Sequence, residues 1–330
     1  MSERKRIDYL DFAKGIAIIS VMLGHIIDGY CWQIVSSYEN FVFFAASGYF
    51  INSKNKLVPY ILKKARALLL PVAFAQFVFL TIFACISFPA HGIKAVVFSL
   101  KTFFTFKAAL GVTWFFIALF LATILVRLII AIKSKLVRSL LVLLCFISGV
   151  VASLFFSSPQ VVYAGLCAVP FLYMGYLLRE YKDGIMKHLG KYKVLISIVI
   201  SAISLFYIFT PFLHKVDFIR CDFETPLDII GPIMSVAFIF IVSLLITRKS
   251  NIISTIFTEI GKSSLYILIV HFCEMNTIPW AAIRTKLSLP FIAIIFIRLL
   301  LSLTLGYGLS KISLIRKLFG QKTDTQLQKQ

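Results

Sequence analysis

Residues 13–27 read AKGIAIISVMLGHII, an apolar run with one lysine near its start and one histidine near its end. A helix crosses the hydrocarbon core of a membrane with about 20 mostly apolar residues. Similar runs recur along the 330-residue chain, so this segment is the first of a series. The sequence therefore predicts an all-α, polytopic integral membrane protein. The predicted spans are residues 13–27, 41–51, 65–88, 110–126, 139–156, 161–178, 194–212, 229–246, 263–273 and 290–309.

Two of these runs, residues 41–51 and 263–273, are too short to cross a membrane unaided. We expect them either to extend into their polar flanks or to be re-entrant. Residues 92–106 have apolar residues interrupted by Lys94 and Lys101, which predicts an interfacial helix rather than a span. The predicted number of transmembrane helices is therefore about ten.

The composition points to the same class of protein. Hydrophobic residues make up 60% of the chain and charged residues only 15%, against about 45–50% and about 25% in soluble domains. This excess of apolar surface excludes a soluble globular protein, and the protein is expected to contact membrane lipids.

The net charge of +20 fits either nucleic-acid binding or the cytoplasmic loops of a membrane protein. If the N-terminus is cytoplasmic, the ten spans leave 25 Lys and Arg on that side and 7 on the other. This asymmetry follows the positive-inside rule, so both termini are predicted to be cytoplasmic. Nucleic-acid binding then has no support, and homo-oligomerisation is left open.

A stripe of ionisable residues runs along the first span. Lys14 and His25 are eleven residues apart, which puts them about 20° apart around a helix and about 16 Å apart along it. Asp11 lies one turn below Lys14 and can pair with it, and Asp28 lies one turn above His25 and could orient its imidazole. The alternative is that Lys14 reaches the membrane surface and His25 bonds a neighbouring helix. The stripe favours a functional site, and these four residues are the predicted catalytic set.

Two further ionisable residues fall within predicted spans. His271 would lie deep in the short run 263–273, and Glu274 is the first residue after this run. A structural histidine that caps a broken helix explains His271 as well as a functional one does. Arg298 lies in mid-span and needs a counter-charge, from either Glu274 or Glu39, and a structural ion pair is favoured for it.

Basic and aromatic residues suggest two more roles. Lys63 and Arg66 fit ordinary positive-inside charge, but they could also hold the phosphates of a polyanionic cofactor such as coenzyme A. Trp114 at the start of a span is either an interfacial anchor or part of an acceptor pocket. The six cysteines lack metal-type spacing, so no metal is expected.

Several segments together resemble acyltransferase family three, the bacterial membrane O-acyltransferases, and within it the fucose 4-O-acetylase-like branch. The likeness runs from residue 8 to about residue 320, which predicts a membrane acyltransferase domain over 1–320 and a disordered polar tail over 321–330. Most of the family carry arginine where this chain has Lys14, and that branch tends to carry His-Met-Pro where this chain has Glu39-Asn40-Phe41. The segments are YLDFAKGIAIISVMLGH (9–25), FFAASGYF (43–50), KKAR (63–66), TWFFIALF (113–120), FLYMGYLLRE (171–180) and GKSSLY (261–266).

The resemblance implies an O-acetyltransferase of the bacterial cytoplasmic membrane. It would move an acetyl group from cytoplasmic acetyl-CoA to a sugar hydroxyl of a surface polysaccharide, such as an exopolysaccharide, or of its lipid-linked precursor. His25 would act as general base or as a covalent acyl carrier. Two sets of residues are expected to bind the substrates: Lys14, Lys63 and Arg66 the CoA phosphates, and Glu39, Trp114, His271 and Glu274 the glycan acceptor.

The competing interpretation is a transporter or flippase for a lipid-linked glycan or a small polar solute. Many spans, a buried arginine and histidines within the membrane suit that class. Transporters often contain repeated halves, and we find no duplication between residues 1–165 and 166–330. A non-catalytic assembly subunit would leave the polar stripe unexplained. The sequence leaves open the sugar, its hydroxyl position and the choice between an acetyl and a succinyl donor.

Overall fold

The structure, a computed structural model, describes residues 8–27, 29–52, 56–104, 111–156, 159–210, 216–249 and 251–321. Over these residues the chain folds into α-helices joined by short loops and two single 3-10 turns, at Gly111–Thr113 and Gly190–Tyr192. The helices are α1 (Asp8–Ile26), α2 (Tyr30–Ser36), α3 (Glu39–Tyr49), α4 (Leu57–His91), α5 (Ile93–Phe104), α6 (Trp114–Ile129), α7 (Lys135–Phe155), α8 (Gln160–Leu189), α9 (Lys193–Phe209), α10 (Leu227–Thr247), α11 (Ile252–Lys262), α12 (Ser264–Thr277), α13 (Trp280–Lys286), α14 (Phe291–Lys311) and α15 (Ser313–Leu318).

Eight helices in the described residues are long and apolar enough to cross a membrane, and α11 with α12 makes a ninth if this broken pair is one span. The fold class is therefore confirmed as all-α and polytopic. The prediction was about ten spans, and the described residues contain eight or nine candidates by length and composition. The run 41–51 forms α3, whose 11 residues extend about 16 Å, roughly half of the hydrocarbon thickness of about 30 Å. A separate helix, α5, forms within residues 92–106, and its interfacial position stays a prediction.

Contacts divide the chain into two units. Unit 1 comprises residues 1–59 and 117–262, and unit 2 comprises residues 60–116 and 263–330. Within unit 1, α1 is largely buried, whereas α7 leaves most of its apolar surface uncovered, with Leu154 and Phe155 about three-quarters exposed. Lipid tails are as apolar as leucine, so such side chains suit a lipid-facing helix. The helix with the polar stripe thus lies in the interior of its unit.

Glycines let α11 approach α1 within unit 1. A Cβ built on Gly261 would lie 1.7 Å from the carbonyl oxygen of Asp11, and one on Gly15 would lie 2.1 Å from that of Phe257. No larger residue fits at either position without moving the backbone. Small residues that allow such close approach are typical of helix pairs in membranes. Gly15, which follows Lys14, and Gly261, which precedes Lys262, therefore allow the two helices to pack closely.

A second glycine contact joins α3 and α8. A Cβ on Gly48 would lie 1.9 Å from the carbonyl oxygen of Leu172, and one on Gly175 would lie 1.9 Å from that of Ala45. Arg179, further along α8, donates from Nη1 to the carbonyl oxygens of Tyr49 and Ile51, at 3.2 and 2.5 Å. Because the last carbonyls of a helix have no partner within it, Arg179 closes the C-terminal end of α3.

In unit 2 the C-terminal segment packs onto other helices. The Phe319 ring is fully buried and lies against the rings of Phe74 and Tyr266. The Tyr266 hydroxyl donates to Oε1 of Gln321 at 3.0 Å. The predicted disordered tail thus begins with a residue that makes a tertiary contact, and residues 322–330 lie outside the described residues.

Candidate active site

The buried end of the polar stripe on α1 is an ion pair. Lys14 Nζ lies 2.5 Å from Asp11 Oδ1, and the Asp11 side chain is 9% exposed. This confirms the pairing predicted from the one-turn spacing. On the adjoining helix α11, Lys262 Nζ lies 2.8 Å from Glu259 Oε1. Two acid–base pairs therefore occur on two helices that touch at Gly261, and their formal charges cancel.

His25 occupies the opposite end of the same helix. It lies in the last turn of α1 and its side chain is exposed. The helix is continuous from Asp8 to Ile26, so the separation of about 16 Å along the axis between Lys14 and His25 holds in the structure. Asp28, predicted to orient the imidazole, lies outside the described residues, and its role stays a prediction.

Two side chains converge on the backbone next to His25. A Cβ built on Gly24 would lie 3.7 Å from both Glu39 Oε2 and Trp32 Cδ1. Glu39 is only 7% exposed, and its Oε2 has no hydrogen-bond partner within the described residues. Ser20 and Tyr38, whose hydroxyls are 2.7 Å apart, link α1 to the start of α3. The predicted acceptor residue Glu39 therefore lies against the backbone of the residue before the predicted base.

Unit 2 holds a buried cluster around Glu274. Its Oε1 is 2.8 Å from His271 Nδ1 and 3.1 Å from Arg298 Nη2, and its Oε2 accepts from Arg298 Nε at 3.3 Å and from the indole nitrogen of Trp280. The Arg298 guanidinium also lies 5.6 Å from the centre of the Trp280 ring. The structure thus selects Glu274 rather than Glu39 as the counter-charge of Arg298, and it brings the predicted residues His271 and Glu274 together.

Two of the three residues predicted to hold CoA phosphates, Lys63 and Arg66, are exposed one turn apart on α4. Arg66 also has a structural contact, because its Nε and Nη2 donate to the carbonyl oxygens of Leu318 and Lys317, at 2.9 and 2.6 Å. These carbonyls end α15, so Arg66 caps that helix with part of its donor set. Lys63 presents its ammonium group on the surface of unit 2.

Trp114 is half-buried at the start of α6, directly after the 3-10 turn Gly111–Thr113. That turn packs on α12, since a Cβ on Gly111 would lie 2.9 Å from the ring of Phe272. Trp114 thus follows a turn that contacts the residue next to His271. The predicted residues divide between the units: Asp11, Lys14, His25 and Glu39 belong to unit 1, and Lys63, Arg66, Trp114, His271 and Glu274 belong to unit 2.

The family model for an acyltransferase domain, that of acyltransferase family 3, matches residues 7–311. The chain belongs to this family. It is therefore a multi-pass membrane acyltransferase. No curated protein and no solved structure matches the chain.

The Glu274 cluster of this acyltransferase is a buried ion pair with a histidine beside it. His271 Nδ1 lies 2.8 Å from the carboxylate. Arg298 supplies the positive charge that a buried carboxylate requires.

Sequence reasoning missed several residues that shape these sites. Trp32 and Trp280 became relevant only through contacts with other segments, and Arg179 caps a helix far away in the sequence. Arg66 was predicted for the donor, but its cap of α15 was missed. For Trp32, the sequence offered only its position seven residues after His25 as an indication. Within the described residues, no group of three or more His, Cys, Asp or Glu side chains could hold a metal ion.

Proposed function

We propose that this acyltransferase moves an acetyl group from acetyl-CoA to a sugar hydroxyl of a surface polysaccharide, or of its lipid-linked precursor, in the bacterial cytoplasmic membrane. The family supports acyl transfer, and the resemblance to the fucose 4-O-acetylase-like branch supports an acetyl donor and a sugar acceptor. The observation that carries the proposal is the exposed His25 at one end of α1, with the buried Asp11–Lys14 pair towards the other.

The reaction follows from the chemistry of an imidazole. A sugar hydroxyl is a poor nucleophile, and a histidine that is neutral near pH 7 can accept its proton. As the proton moves to His25, the hydroxyl oxygen attacks the thioester carbonyl. The new C–O bond forms and the C–S bond breaks, and the proton leaves with the CoA thiolate. Direct attack by His25, which gives an acyl-histidine, would use the same residue.

The donor requires cations for its phosphates. Lys63 and Arg66 are exposed on consecutive turns of α4, and both side chains reach the surface of unit 2. An exposed lysine beside an arginine suits phosphate groups, since both donate charged hydrogen bonds. Lys14 is proposed as a further cation for the donor, held in place by Asp11.

Four residues are proposed to bind the acceptor. Glu39 brings a buried carboxylate oxygen to the backbone beside His25. Trp114, His271 and Glu274 supply an indole, an imidazole and a carboxylate in unit 2. Carboxylates and imidazoles accept hydrogen bonds from hydroxyl groups, which matches a sugar.

The test is acetyl transfer in membranes that contain the protein, with radiolabelled acetyl-CoA and isolated glycan. We expect base-labile label on the sugar, and His25→Ala should reduce it by about 100-fold or more, as expected for loss of a general base. His91→Ala is the matched control, because His91 is also an exposed histidine at a helix end. Retained transfer in His25→Ala would refute the proposal. Transport of glycan without acyl transfer would favour the flippase instead.

A second measurement identifies the group that is transferred. Mass spectrometry of surface polysaccharide from cells with and without the gene should differ by the mass of acetyl groups. A difference by the mass of succinyl groups would overturn the assignment of acetyl-CoA as donor and leave acyl transfer standing.

A further inference from the structure

A cleft of about 180 Å³ opens in unit 1 between α2 and the loop 216–224. Its wall combines an aromatic ring, an amide and several charged groups. None of its residues was predicted from the sequence to bind a substrate. Its lining includes Trp32, Gln33, Asp217, Arg220, Asp222 and Glu224.

The loop that forms one wall is held in place by the core of unit 1. Phe218 is 4% exposed. Asp217 and Asp222 form an isolated antiparallel bridge, and the Asp222 N–H donates to the Asp217 carbonyl at 3.2 Å. The loop backbone that carries the carboxylates is therefore held by contacts within unit 1. The Phe218 ring packs against the rings of Phe41, Phe44, Phe171 and Phe223.

The wall carries excess negative charge. Asp217, Asp222 and Glu224 face one cation, Arg220, whose Nε lies 3.4 Å from Asp217 Oδ2. Partial burial, followed by the charge of Asp217, raises the pKa of Asp222 above its ordinary value. Carboxylates accept hydrogen bonds from hydroxyl groups, and they repel phosphate and carboxylate groups.

Trp32 extends from the cleft to the backbone of Gly24, the residue before the predicted base. Its indole is 38% exposed and lines the cleft, and its Cδ1 also lies 3.7 Å from a Cβ built on Gly24. Glu39 Oε2 lies 3.7 Å from the same built Cβ; Glu39 is more than nine-tenths buried, and this oxygen has no hydrogen-bond partner in the described part of the chain. A buried carboxylate oxygen in this position lacks a donor, and a ligand hydroxyl between Trp32 and His25 would supply one.

We propose that this cleft binds the sugar unit that receives the acyl group, and that it accepts only sugars without an anionic substituent. The indole of Trp32 packs on the C–H face of the ring, and the carboxylates accept its hydroxyls. This inference rests on the proposed function, because it assigns the acceptor site to a sugar that His25 deprotonates.

The test compares two ligands that differ at one carbon, methyl glucoside and methyl glucuronide. Binding to the purified protein in detergent is measured by saturation-transfer NMR, which does not depend on catalysis. We expect the glucoside to bind at least tenfold more tightly. Removal of one carboxylate, in Asp222→Asn or Glu224→Gln, should reduce this preference about fivefold, the effect of one charge at about 4 Å in water. Trp32→Leu should weaken binding of both sugars.

The control variant is Asp183→Asn, which removes an exposed carboxylate that does not line the cleft. The preference should be unchanged in this variant. Equal binding of the two sugars, no binding of either, or the same loss in Asp183→Asn as in Asp222→Asn would overturn the inference. Selective binding without any acetyl transfer would instead refute the proposed function and leave the cleft as a sugar site.

Discussion

The ion pair between Arg298 and Glu274 allows a quantitative test of how the membrane interior of this protein is stabilised. The Glu274 side chain is 3% exposed, and Arg298 donates two hydrogen bonds to it. In Arg298→Met the carboxylate would keep its contacts with His271 and Trp280 but lose its counter-charge. Removal of one partner of a buried pair costs about 3–5 kcal/mol, because an uncompensated charge is left behind. We therefore expect Arg298→Met to lower the free energy of unfolding by that amount.

The measurement is reversible unfolding by SDS in mixed micelles. The control is Arg220→Met, since Arg220 pairs with Asp217 at 3.4 Å while 67% exposed, and an exposed pair contributes at most about 1 kcal/mol. The double variant Arg298→Met/Glu274→Gln removes both charges and should be more stable than Arg298→Met alone by about 1–3 kcal/mol. If Arg298→Met costs no more than Arg220→Met, or if the second substitution adds to the loss, the buried-charge explanation is wrong.

Three further predictions concern the helices around the site. Gly261→Ala should destabilise the protein by about 1–3 kcal/mol or more, because the new Cβ would overlap the Asp11 carbonyl. The control Gly308→Ala, whose Cβ would have no atom within 4 Å, should be neutral or slightly stabilising in the same unfolding assay. Lys14→Arg should retain substantial acetyl transfer and Lys14→Ala should lose most of it, and equal loss in both would contradict a role based on charge. Arg179→Met should cost about 1.5–3 kcal/mol by releasing the carbonyls that end α3, and no change on thermal unfolding would contradict this cap.

The motif glycines acquire a physical meaning from the packing. In the segments around Gly15, Gly48, Gly175 and Gly261, a side chain would overlap the backbone of a neighbouring helix. These glycines therefore have a packing role: they let α1 lie against α11 and α3 lie against α8. The polar residues of the same segments are the candidates for the chemistry, and the close helix crossings position them.

The local part of the site could be predicted from the sequence. Asp11 and Lys14 are one turn apart on one helix, so helix geometry alone predicts their contact, and the structure confirms it. The pair of Glu274 and Arg298 was only one of two options, because these residues are 24 positions apart on different helices. The cap of α15 by Arg66 could not be predicted, because its partners lie about 250 residues further along the chain.

The sequence by itself determined that this protein is a helical membrane protein. Within lipid each backbone polar group must bond inside its own helix, so apolar runs are sufficient to predict helices. Only the tertiary structure decided which polar groups meet. It gave Arg298 its partner, and it brought Trp32 and Glu39 to the backbone beside His25. The reason is that such contacts depend on which helix faces pack together, and hydrophobic periodicity does not specify this.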